Sequence, residues 1–387
     1  MDIHLQGGFG EKGRTSVCIQ TDETTVMLDA GIKVGAADDT YHPQLAIIAE
    51  DLDAVVISHA HEDHVGALCW LAGQGFSGPI YMTAETLTET ATTLEQYARP
   101  ADIEAYPLAT MDIRLVQVLT PFSIGSLTIN TGHSGHVAGG MWISVTEKSS
   151  SVLYCGDVVP NSLVFPMTPL PKSELLILDA SYGGDSIPVK ERVSAIKAWV
   201  TKHEKGCLLP TPLSGRSLEL IAIQNGQFAI EAGMIGPLLA QIDAISGYNP
   251  DVAKHLANRV QDAHLWQEET SFPLVPLLIH DGMGSAGPAA TAIQQALASQ
   301  TPMLFTGHLP HGSPAAIAYE NGKADWIRLP THPTLDDNIQ LWKACGAPHV
   351  LGHSCGADGL ADLETYIFNL DPFARTGQTQ ILKGKLT

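Results

Sequence analysis

No uninterrupted apolar stretch of the roughly 18 residues that a membrane-spanning helix requires occurs in the chain, so no membrane segment is expected. Basic residues are scarce. Against 41 Asp and Glu stand 21 Lys and Arg, for a net charge of −20. That balance repels polyanions at long range and gives no general electrostatic basis for holding nucleic acid. The six cysteines, Cys18, Cys69, Cys155, Cys207, Cys345 and Cys355, lie far apart, without the close pairing of a zinc finger or a small disulfide scaffold. They are expected to be reduced and structural. The start, Met1-Asp2-Ile3-His4-Leu5-Gln6, has neither the basic flank nor the apolar core of a secretory signal, and the chain reads as cytoplasmic. Internal repeats and low-complexity tracts are also missing.

What is present suits a globular, loop-rich protein: 387 residues, 44% hydrophobic, with 36 glycines and 24 prolines, enough for two compact units. Up to about residue 180 the pattern is of short β-rich runs broken by turns, at 16–20, 25–29, 54–58, 113–119, 127–131, 141–145, 152–155 and 175–179. A helix is expected over 84–98, where Leu87, Ala91, Leu94 and Ala98 recur at helical spacing. After Gly183-Gly184-Asp185 helix and strand alternate: helices at 189–203, 217–232 and 286–299, strands at 207–210, 276–280 and 302–306. Such alternation predicts a parallel-sheet α/β unit. From about Asp325 the chain gives one more strand, a helix over 335–344, a strand over 349–352 and a closing helix. Trp142, Trp326 and Trp342 occur singly on these patterns and read as core residues.

Sixteen histidines are many, and they cluster near 59–64, 133–136, 308–311, 332 and 349–353. In His59-Ala60-His61-Glu62-Asp63-His64, just after the apolar run Val55-Val56-Ile57, three histidines and two acids share six residues. Burying them all unpaired would be costly, and a metal supplies the missing partner. Zinc accepts imidazole nitrogen and carboxylate oxygen, and a strand-to-helix turn can aim alternate side chains at two neighbouring ions. Two divalent ions would also offset four negative charges locally, which weakens the electrostatic objection to an anionic substrate.

The spacing His-x-His-x-Asp-His resembles the metallo-β-lactamase fold superfamily. Three further elements match in order: Asp29 at the end of an earlier strand, Gly135-His136-Val137-Ala138-Gly139-Gly140, and Tyr154-Cys155-Gly156-Asp157. The resemblance implies an α/β fold, a metallo-β-lactamase αββα sandwich carrying two divalent metal ions, zinc being the expected metal. It places His59, His61 and His136 on one ion, Asp63 and His64 on the other, and Asp157 between them. Asp29 would orient ligands, as metal-bound histidines generally require. His133, three residues before His136, competes for the same place, and Glu62 is expected beside the ligands rather than among them.

Leu178-Asp179-Ala180-Ser181-Tyr182-Gly183 and Pro210-Thr211-Pro212-Leu213-Ser214-Gly215-Arg216-Ser217-Leu218-Glu219 resemble motifs of the β-CASP nuclease group, whose members include RNase J and the pre-mRNA 3′-end cleavage endonuclease. This implies an inserted α/β β-CASP-like domain over 183–324, between metallo-β-lactamase parts over 1–182 and 325–387. Two late histidines extend the match. His353 would complete the second ion's ligands. His332, held by Asp179, would protonate the leaving oxygen. Their surroundings depart from the group's pattern, with Thr334 in place of an Asp and Ser354-Cys355 in place of Gly-Glu. Arg216 suits bidentate phosphate recognition, and the turn Gly307-His308-Leu309-Pro310-His311-Gly312-Ser313 offers His308, His311 and Ser313 as further substrate contacts.

By this resemblance the chain is expected to cleave phosphodiester bonds in RNA or single-stranded DNA, its substrate partner, with water activated by the metals. A homo-oligomer stays open. The alternative is a small-molecule hydrolase of the same fold acting on a thioester, lactone or phosphate ester, which the charge of −20 favours. A third reading, a scaffold without activity, sits poorly with intact ligand motifs.

Overall fold

The computed structural model describes residues 1–268 and 270–382. They form two compact units: Met1–Pro160, Met167–Ser186 and the chain from His332 on, and a second made of Asn161–Pro166 and Ile187–Thr331.

The first unit is built on two sheets. One runs in the order Thr379–Ile381, Asp2–Gly7, Ser16–Gln20, Thr25–Leu28, Ala54–Val56, Ile80–Met82, Ile113–Leu115. It is antiparallel as far as Thr25–Leu28 and parallel beyond. The other runs His349–His353, Leu175–Asp179, Ser150–Tyr154, Met141–Glu147, Leu127–His133, Phe122–Ile124, with its first three strands parallel. Alternation along each strand explains the layers, since successive side chains point to opposite faces. Val26 and Leu28 join Val145, Val152 and Ile177 in the core between the sheets. Met27 faces the other way, onto Leu68 and Leu71 of the helix Leu68–Gly73. Leu176 and Leu178 likewise pack outward on Leu341 and Trp342 of Leu335–Cys345 and on Leu360 and Leu363 of Ala357–Glu364. Helix, sheet, sheet, helix is the resulting order.

The second unit holds a four-stranded parallel sheet, ordered Cys207–Pro210, Pro276–Ile279, Ala229–Glu231, His264–Trp266. Ala289, Ala292, Ile293 and Ala296 of the helix Gly287–Ser299 pack with Leu208, Leu277 and Ile279 of that sheet. Here the sequence expectation needs correcting. The helix expected over 217–232 is Arg216–Ile223, and Ala229–Glu231 is a strand. Gln224-Asn225-Gly226 breaks the helix, and Arg259 holds the break by donating to the carbonyls of Gln224 and Gly226 at 3.1 and 2.8 Å. Two helices, Ile235–Ser246 and Pro250–Gln261, were not foreseen. All six cysteines are buried and free, and no described helix is long and apolar enough to cross a membrane. Trp142 and Trp342 are buried, while Trp326 is half-buried and donates to the Gly307 carbonyl at 2.7 Å.

Candidate metal centre

The site gathers at one edge of the two sheets, where the strands end in polar residues. Thr25–Leu28 stops because Asp29 takes a left-handed backbone, φ 58°, which Asp tolerates better than β-branched residues. Its neighbours then stitch the histidine motif in place: Ala30 N donates to His64 O at 2.7 Å, Ile32 N to Glu62 O at 3.0 Å, and Thr15 N to Asp63 O at 2.8 Å. Gly31 is required here, since a Cβ would lie 1.7 Å from the Asp63 carbonyl oxygen. His61 opens the short helix Glu62–Val65 that carries Asp63 and His64.

Ligand atoms of His59, His61, His136 and Asp157 all lie within 4.8 Å of one another. His61 Nδ1 is 3.1 Å from both His59 Nε2 and His136 Nε2. Asp157 Oδ2 is 3.6 Å from His59 Nε2 and 3.5 Å from His136 Nε2. On the other side of the same carboxylate, Oδ1 is 3.3 Å from His64 Nε2, which lies 3.8 Å from Asp63 Oδ2. His64 Nε2 and Asp157 Oδ1 are both buried and face each other at 3.3 Å without good hydrogen-bond geometry. Imidazole nitrogens and carboxylate oxygens thus crowd a largely buried space, an arrangement that cations would relieve. The donor set, imidazole nitrogens and carboxylates, is the one zinc accepts. His59, His61, His136 and Asp157 fit one divalent ion, and Asp157 belongs to a second group of potential ligands with Asp179 and His332.

The electrostatics differ between the two sides of Asp157. Burial, reinforced by neighbouring imidazoles, holds His59 and His136 well below the ordinary histidine range and so neutral, as ligands must be. Burial would push Asp157 up, but His64 and His332 hold it well below the usual carboxylate range. For His64, burial is outweighed by Asp157, Asp63 and Asp29, which raise it.

Beside this centre His332 Nδ1 lies 3.0 Å from Asp179 Oδ2 and 3.6 Å from Asp157 Oδ2. Burial alone would lower its pKa, yet Asp179 and Asp157 carry it up to about 10. Asp179 is itself fixed by donors: Val158 N at 3.1 Å, Ser181 N at 3.1 Å and the Ser181 hydroxyl at 2.6 Å. The helix Leu335–Cys345 begins three residues after His332, opened by a Thr334–Asp337 capping box.

Of the other expected residues, His353 is fully buried but lies outside the groups above, its Nε2 3.0 Å from the Gly156 carbonyl and its Nδ1 3.0 Å from the Ser354 hydroxyl. His133 stays outside too; its backbone donates to Thr168, and His136 is the histidine brought to the group. Glu62 is likewise outside both. In the second unit, Arg216 donates to the Thr331 hydroxyl at 3.0 Å, with its guanidinium against Gly307. His308 and His311 are exposed on the following loop. Ser313 spends its hydroxyl as the N-cap of Pro314–Glu320, accepting from Ala316 N. Sequence reasoning placed Ser58, Tyr154 and Ser181 within or beside the motifs but gave them no role, because their contacts depend on tertiary register.

Residues 10–198 match the model of the metallo-β-lactamase superfamily. The chain is 30% identical over 279 residues to the transcription termination factor FttA of Lokiarchaeum sp. (strain GC14_75), and 29% identical over 246 residues to that of Methanocaldococcus jannaschii. These alignments cover 64% and 57% of this chain but 44% and 38% of the relatives, so the chain spans less than half the length of the curated relatives it matches. A solved structure, a protein of unknown function from Enterococcus faecalis V583, shares the fold with a TM-score of 0.64 at 12% identity, over 98% of this chain and 99% of that one.

Proposed function

We propose that this chain, which has the metallo-β-lactamase fold, is a dinuclear-metal hydrolase that cleaves phosphodiester bonds in RNA or single-stranded DNA. The observation that carries the reading is Asp157, whose two oxygens face the His59, His61 and His136 nitrogens on one side and His64 on the other. His59, His61, His136 and Asp157 would hold one ion, and Asp63, His64 and Asp157, with His353 adjoining, the other, zinc being the metal these donors favour. Such ions would bring the pKa of water toward neutrality and stabilise negative charge on phosphate oxygens.

The chain's own residues supply the rest. His332 donates its Nδ1–H to Asp179, which leaves Nε2 as the atom that would hand a proton to the departing oxygen. Asp179, saturated by Val158 and Ser181, keeps that imidazole in one orientation. Arg216 and the loop bearing His308 and His311 are the substrate contacts of this reading, and Ser313 orders the helix behind that loop. A domain organisation of 1–182, 183–324 and 325–387 goes with it.

The net charge of −20 favours a second reading, hydrolysis of a smaller phosphate ester or thioester by the same centre. One experiment separates them: the purified chain, with bound metal measured, is incubated with labelled single-stranded RNA and DNA beside a simple phosphodiester and a thioester, with Asp157→Ala as control. Nucleic-acid cleavage that the control lacks supports the nuclease reading. Turnover of the small esters alone overturns it in favour of the second.

A further inference from the structure

Asp29 is wholly buried and accepts four hydrogen bonds. Its Oδ1 takes Ser58 N at 2.6 Å. Its Oδ2 takes three donors at once: the Ser58 hydroxyl at 2.6 Å, the Tyr154 hydroxyl at 2.6 Å and His64 Nδ1 at 2.7 Å. The direction of each is fixed, because a carboxylate only accepts. His64 therefore carries its proton on Nδ1 and presents Nε2 toward Asp157 and Asp63. Ser58 has one hydrogen, and Asp29 receives it. The Ser58 oxygen is then an acceptor for its other neighbour, His59 Nδ1, at 3.0 Å. His59 must in turn be protonated on Nδ1 and present Nε2 to the group of His61, His136 and Asp157.

We propose that Ser58 is a positioning residue of the first metal site, relaying the orienting effect of Asp29 to His59. A single buried carboxylate then sets the tautomer of one imidazole in each half of the centre, directly for His64 and through one hydroxyl for His59. Two backbone features make room for the relay. Gly156, with φ 54°, lies so close that a Cβ there would sit 2.9 Å from the Ser58 Cβ and Oγ. Met141 N donates to the Ser58 carbonyl at 3.0 Å and ties this residue to the opposite sheet. Tyr154 reaches the same Asp29 oxygen from that sheet, so its loss removes one of that carboxylate's donors and leaves the Ser58 to His59 link in place.

The inference rests on the metal-centre reading and is tested by metal binding rather than by turnover. Zinc affinities of the full chain are measured for both equivalents by competition with a chromophoric chelator, in wild type, Ser58→Ala, Ser58→Thr and Tyr154→Phe. Changes in groups that orient metal ligands cost about 10- to 100-fold in affinity. Ser58→Ala should weaken one equivalent by about that factor and leave the other within about threefold, and Ser58→Thr, which keeps the hydroxyl, should restore it. Tyr154→Phe should spare the equivalent that Ser58→Ala weakens. In zinc-loaded protein labelled with 15N-histidine, His59 should be protonated on Nδ1 in wild type. Two wild-type ions that Ser58→Ala leaves untouched, or His59 protonated on Nε2, would overturn the relay alone. A wild-type chain that binds no zinc overturns the metal centre with it. Should Ser58→Ala fail to fold, the wild-type tautomer and the Thr variant still decide.

Discussion

Asp157→Asn is the sharpest perturbation of the centre, because it keeps the side chain's volume and removes the one charge that faces both ligand groups. In the native chain the Asp157 oxygens stand 3.3 to 3.6 Å from His64, His59, His136 and His332 nitrogens. A neutral amide presents one oxygen to one side and an NH2 group to the other, which repels any cation there. Taking the loss as about 100-fold for each ion, the scale of an orienting group and so a lower bound for a ligand, the energetics follow by mass action. At free zinc about 1,000 times the wild-type Kd, each ion stabilises the folded chain by about 4.1 kcal/mol, and a 100-fold weaker ion by about 1.4. Two ions make the difference about 5 kcal/mol, which for a unit of this size is a shift of about 10 °C or more in Tm. Calorimetry at fixed free zinc and again with a chelator gives the zinc-induced rise within each protein, so any structural cost of the substitution cancels. We expect the rise in Asp157→Asn to fall short of wild type by about 10 °C. Equal rises in the two proteins would refute the sharing of Asp157 between ions.

Other expectations concern single residues. His332→Gln should lower nucleic-acid cleavage by about 10²- to 10⁴-fold with metal content unchanged, as loss of a general acid does; full activity in the variant would remove His332 from the mechanism. Gly31→Ala forces a Cβ into the Asp63 carbonyl and should cost about 1–3 kcal/mol in urea unfolding while releasing zinc from the His64 side, whereas unchanged zinc content would show the turn to be pliable. Away from the centre, His42 is buried and stacks on Trp70 with ring centroids 4.4 Å apart; burial and then Arg99 push its pKa down to about 4, against Asp38. Its folded pKa lies below the ordinary value, so its contribution is whole above about pH 6.5 and is lost as pH falls toward 4. In metal-free protein, wild-type stability should fall by up to about 1.4 kcal/mol per pH unit more steeply than that of His42→Phe across that window; parallel curves would contradict the shift.

The layered α/β architecture was legible because its strands are short, alternate faithfully and end in chemistry. Leu175–Asp179 was readable from its two faces, Leu175 and Ile177 inward, Leu176 and Leu178 outward, with Asp179 at the end. Local signals misled where an apolar pattern ran across a break, as at Ile223, and were too weak over Ile235–Ser246, which has no side-chain cap and no charged residue in its first turn. Within the centre, the His59 to His64 segment was visible as a density of ligands. Ser58 and Tyr154 were not, for a physical reason: their roles come from pairing between distant segments. The parallel register Leu28↔Val56 sets Asp29 beside Ser58, and Tyr154 arrives from the second sheet. No spacing along the chain encodes that meeting.

The same pairing bears on how His332, the proposed proton donor, is held. His332 leans on two carboxylates, Asp179 at 3.0 Å and Asp157 at 3.6 Å, but the two are not equivalent. Asp157 faces ligand groups on both sides, and any cation bound there draws on its charge. Asp179 shares a group of potential ligands with Asp157 and His332, and its other partners, Val158 N, Ser181 N and the Ser181 hydroxyl, are all neutral donors. Cations held by Asp157 would therefore shift the pull on His332 toward Asp179. The imidazole keeps its orientation but gives up part of the charge that holds its proton so firmly, the direction a proton donor working near neutral pH requires.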